Sequence, residues 1–70
     1  MKLTEKMEMV EKFGKLPREE QERLLGYTEP TDLEGLSMVT ELCDTLDAMD
    51  AGSEYHAGII KRVQQYLYTR

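Results

Sequence analysis

Glu41, Asp44 and Asp47 recur at every third position. On a helix they would stand opposite an apolar arc made by Leu36, Met38, Val39, Leu42, Cys43, Leu46 and Met49. Successive carboxylates in such a row lie about 4.5 Å apart along the axis, of the same order as the ~3.4 Å rise per phosphate on one DNA strand. A row of fixed negative charge at that spacing can attract a basic groove on a protein that handles nucleic acid and compete there with phosphates. Glu34, Asp50 and Glu54 extend the acidic set, and Tyr68 near the C-terminus adds an aromatic anchor. The competing reading is that the acids are solvated and keep a small chain soluble, or pair internally with Lys61, Arg62 and the N-terminal lysines.

Other residues with chemical potential point elsewhere. His56 is the lone histidine, expected to be structural and buried or half-buried, because nothing in the sequence supplies a group to orient it or a nucleophile beside it. Asp50, Glu54 and His56 lack a metal-ligand spacing, and Asp44-x-x-Asp47-x-x-Asp50 fails the calcium-loop pattern because its acids fall on a helix. Cys43, inside the apolar arc, is expected to pack in the core, not to react. No phosphate-cradling glycine loop and no Ser/His/Asp arrangement is present. The expectation is a binding protein, not an enzyme, without metal or cofactor.

The elements that must position these residues are helical. Leu3, Met7 and Val10 at i, i+4 and i+7, with Phe13 beside them, predict a first helix over about 3–13 with that stripe inward, Met9 outward and Gly14 just past its end. Glu8 with Lys12 and Glu11 with Lys15 make i,i+4 pairs on its outer face. Leu16-Pro17 opens a short second helix, rich in acid at its start and closed by Gly26. Thr31-Asp32-Leu33-Glu34 fits a capping box, but Gly35 allows the third helix to begin nearer Ser37; it ends near Asp50. Ala51-Gly52-Ser53 is a tight break with Ser53 as cap. Tyr55, Ile59, Ile60, Val63, Tyr66 and Leu67 then line the inner face of a fourth helix, whose start falls between Glu54 and Ile59. The reading is an all-α, small four-helix bundle with a short second helix, forming one domain over 1–70, with the third and fourth helices as its main antiparallel pair.

Charge is segregated along the chain. Residues 1–23 carry six acids and six bases, whereas 24–60 carry eight acids and no Lys or Arg, within a net charge of −5 over 70 residues. That balance excludes direct nucleic-acid binding, which depends on cations meeting phosphates. The absence of a long apolar run excludes a membrane span or signal segment, and a single cysteine gives no internal disulfide, so the expected location is cytoplasmic. A chain this short buries only about 60% of its unfolded surface and gains from a partner or a second copy.

The stretch from Glu8 to Leu25, with a helix end followed by Leu16-Pro17-Arg18-Glu19-Glu20 and then Leu24-Leu25, resembles the helical tail of XRE-type helix-turn-helix repressors. The DNA-binding head is absent, so the resemblance implies a regulatory, phage or mobile-element setting and a role in dimerisation, not operator binding. Small inhibitors of bacterial nucleases or defence complexes are similar in size and charge. The leading expectation is therefore an acidic protein-interaction module, an inhibitor or regulator that binds a basic surface of a nucleic-acid-handling protein. The alternative is a homo-oligomerising regulatory or scaffold module.

Overall fold

A computed structural model describes residues 2–27 and 37–69 of the chain. The fold is all-α, with four helices among the described residues: α1 (Leu3–Gly14), α2 (Arg18–Leu24), α3 (Met38–Asp50) and α4 (Glu54–Tyr68). The Thr31 to Glu34 capping box, and Leu36 of the expected arc, lie outside the described residues.

Local chemistry sets the helix ends. Ser37 accepts a hydrogen bond from the Thr40 N–H, and Ser53 accepts one from the His56 N–H, so each serine satisfies an otherwise orphaned donor in a first turn. The second cap starts α4 at Glu54 and keeps Gly58 inside the helix. Gly26 and Gly52 take φ of +96° and +100°, a region that side chains with a Cβ rarely adopt. Behind them, Tyr27 N–H reaches Glu22 O and Ser53 N–H reaches Ala48 O, closing α2 and α3 by the same left-handed device. Gly14 instead remains the last residue of α1, with Lys15 as its cap.

The core gathers Met9 and Phe13 of α1, Leu24 and Leu25 at the end of α2, Met38, Leu42 and Leu46 of α3, and Ile59, Ile60 and Val63 of α4. The most extensive packing joins α3 to α4, and α1 lies against both. Two carbonyls at helix ends are tied across the fold. The Gln21 amide, itself buried, donates to Phe13 O at 2.9 Å, and Arg62 donates from Nε and Nη2 to Leu24 O at 3.0 and 2.8 Å. The Arg62 bonds satisfy a terminal carbonyl that would otherwise need water, whereas Gln21 adds a second donor to Phe13 O, which already accepts from the Leu16 N–H at 3.1 Å, so the ends of α1 and α2 are held by side chains from other elements.

Two helices are turned relative to the faces that periodicity predicts. On α1, Met9 is 1% exposed, whereas Leu3 and Met7 are 71% and 63% exposed. Of the stripe expected inside, Leu3 and Met7 face out, Val10 is half-buried against the core and Phe13 is buried as expected, while the methionine expected outside is core. On α3 the buried arc runs from Thr45 through Met38 and Leu42 to Leu46, about 50° away from the centre of the apolar arc. That single rotation carries Cys43 out to solvent and draws Thr45 and Glu41 inward. Thr45 tolerates burial because its hydroxyl donates to Glu41 O at 2.8 Å. Tyr55, expected on the inner face of α4, is 73% exposed.

Candidate protein-binding face

The rotations of α1 and α3 bring their displaced apolar residues together. Leu3, Met7 and Val10 form one wall of an open groove of about 440 Å³, and Cys43 and Leu46 form the other, with Lys6, Glu11 and Asp47 at its edges. The exposed Leu3 and Met7 thus lie at a groove rimmed by polar groups. Periodicity missed this groove because apolar residues occupy more of the circumference of α1 than its packing against α3 and α4 covers. Met9 and Phe13 take the core, leaving Leu3 and Met7 uncovered.

The acidic row is shorter than its spacing predicts. Asp44 and Asp47 are exposed and make no ion pair with any described residue. Glu41 is half-buried and accepts a hydrogen bond from the Tyr27 hydroxyl at 3.3 Å. Burial, and then the neighbouring Glu41 charge, push the Tyr27 phenol above its ordinary pKa, so it stays neutral and able to donate. Asp50 is clasped by the Lys6 ammonium, which holds its carboxyl below the usual carboxylate range. Glu54 is exposed in the first turn of α4, and Glu34 lies outside the described residues. The structure thus leaves Asp44 and Asp47 on one ridge of α3, with Glu54 standing apart on the next helix.

The other candidates are local structure. His56 is half-buried, with Nδ1 2.6 Å from Ser53 Oγ and its ring edge-on to Tyr55 at 5.2 Å. Among the described residues no side chain is hydrogen-bonded to its Nε2, and the Ser53 hydroxyl that meets Nδ1 is the one that caps α4. A second open hollow, of about 310 Å³, lies between His56, Tyr55, Tyr27 and Glu41. Among the described residues no three His, Cys, Asp or Glu side chains are grouped to hold a metal ion, and no helix is long and apolar enough to cross a membrane. Tyr68 is 46% exposed, and the Lys12 ammonium sits 4.5 Å from its ring centroid, a cation–π contact that ties α4 to α1. Lys61 and Arg62 do not reach the acidic ridge; Arg62 is spent on Leu24 O.

The chain matches no protein-family model, no curated protein and no solved structure.

Proposed function

We propose that this chain is a small acidic protein-interaction module, an inhibitor or regulator that engages a basic surface on a protein that handles nucleic acid. The observation that carries the reading is the exposed pair Asp44 and Asp47, free of ion pairs among the described residues, in a stretch from 24 to 60 that contains no Lys or Arg. Their field is not cancelled locally, so it can steer a cationic partner. In this reading residues 1–70 work as one four-helix bundle in the cytoplasm. The short α2 braces the others, and the chain catalyses nothing and binds neither metal nor cofactor. Asp44 and Asp47 make the main contact, Glu54 adds to the field, and Tyr68 sits at the margin. With Asp50 and Glu41 engaged internally, the row is too short to imitate a long run of phosphates, and recognition needs a further contact.

The test is affinity capture from the native host's lysate at low and high salt, comparing the wild type with Asp44→Lys/Asp47→Lys. The expected result is a partner retained at low salt, weakened at high salt and lost with the variant, whose helicity and melting temperature stay near wild type. Retention by the variant would sink the reading.

A second reading, a homo-oligomer closed through apolar residues, draws on the exposure of Leu3 and Met7 and on the dimerisation role implied by the repressor-tail resemblance of Glu8 to Leu25. Light scattering that shows a concentration-independent monomer removes it.

A further inference from the structure

We infer that the α1–α3 groove is a seat for one amphipathic helix of the protein partner, with apolar residues at i, i+3 or i+4 and i+7 and with Lys or Arg along the flank that meets Asp44 and Asp47. The inference rests on the interaction reading above and names the element that the acidic ridge receives.

Three features of the groove select that occupant. Both walls are helices, whose backbone groups are satisfied internally, so an extended segment would find no ladder of donors and acceptors there. A helix brings its own hydrogen bonds. From Leu3 to Val10 the apolar wall runs about 10 Å, the length of two helical turns, which matches apolar anchors spread over i to i+7.

Charge decides between a foreign helix and a second copy of this chain. Among the described residues lining the groove the single cation is Lys6, and its ammonium is already bonded to Asp50. Glu11 is balanced by Lys15 at 3.6 Å, which leaves Asp47, with Asp44 beyond it, as the uncompensated charge on the rim. A second copy would set like carboxylates against each other across the seam. A cation-flanked helix covers Leu3, Met7 and Cys43 and neutralises the ridge in the same step.

The experiment measures fluorescence anisotropy of two labelled synthetic helical peptides of about 14 residues, with one apolar pattern and either lysine or glutamate flanks, titrated with the full chain. Met7→Glu and Leu3→Glu, both at exposed positions, obstruct the groove while adding negative charge, and Asp44→Lys/Asp47→Lys reverses the ridge. Circular dichroism verifies that each variant folds. The expected result is binding of the lysine peptide, with at least about tenfold weaker binding of the glutamate peptide, and a loss of about tenfold or more in each groove variant. Unchanged or tighter lysine-peptide binding by Met7→Glu and Leu3→Glu overturns the groove inference and leaves the acidic reading standing, since charge alone would explain it. Equal binding of both peptides, or loss in the groove variants with none in Asp44→Lys/Asp47→Lys, overturns the cationic flank and the acidic reading with it. A wild-type dimer that Met7→Glu disperses, seen by light scattering, assigns the groove to a second copy and overturns the inference.

Discussion

Met7 and Met9 offer an internal comparison, because they are the same residue type two positions apart on one helix and the structure buries only one of them. Met9 is 1% exposed within the core, so Met9→Ala removes a packed side chain and should cost about 2–5 kcal/mol. A chain of this length has roughly 3.5–10 kcal/mol of stability in total, so even the lower value is a large share. It would lower the melting temperature by about 8–16 °C. Met7 is 63% exposed. Full burial of a methionine is worth about 1.5–3 kcal/mol, and with about a third of the side chain covered Met7→Ala should cost about 1 kcal/mol or less. The change in intrinsic helix preference is the same at both sites and cancels in the comparison. Urea unfolding of wild type and both variants, followed by far-ultraviolet circular dichroism, gives the two costs at a common slope. Met9→Leu serves as the volume-conserving control, at less than about 1.5 kcal/mol. Equal losses for Met7→Ala and Met9→Ala, or a larger loss for Met7→Ala, would show that α1 presents its other face to the core. The groove would then not exist.

Arg62→Ala should cost about 1 kcal/mol, less than a buried charge-assisted bond because the side chain is partly in water. The loss, read by thermal unfolding, comes from freeing Leu24 O, which Arg62 now meets with two donors. Cys43 should react with iodoacetamide in the native protein nearly as fast as a free thiol, because it is exposed; protection until unfolding would return it to the core. Asp50 and Glu20 both have carboxyls held below their ordinary range, by the hydrogen bonds from Lys6 and Arg23 respectively. Their contribution is therefore complete above the unfolded carboxylate pKa of about 4 and disappears as pH falls through the lower folded values. The melting-temperature gap between wild type and Asp50→Asn/Glu20→Gln should be present at neutral pH and close in stronger acid; a gap that widens on acidification would contradict both pairs.

Features governed by neighbours in the chain were legible without coordinates. The serine at 53, the glycines at 26 and 52, the Glu8–Lys12 and Glu11–Lys15 pairs at 3.5 and 3.6 Å, and the all-helical class all follow from contacts within about one turn. Serine caps and left-handed glycines act on the backbone beside them, whatever the rest of the fold does. Similarly, the charge segregation around 24–60 is a property of order along the chain.

The direction in which each helix faces was not legible, and the candidate site depends on it. On α1 apolar residues occupy both the Met9–Phe13 side and the Leu3–Met7 side, so periodicity alone cannot choose the buried one. On α3 a turn of about 50° separates a buried Cys43 and a fully outward Glu41 from the observed reverse. Nor does spacing reveal that Lys6 reaches Asp50 across 44 positions, or that Arg62 bonds to the end of α2 and leaves the acidic ridge alone. A broad apolar arc specifies that a helix is half-buried, whereas its rotation is settled by which neighbours pack closest. Packing among α1, α3 and α4 therefore decided which hydrophobic residues became core, which became a groove, and which carboxylates remained free beside it.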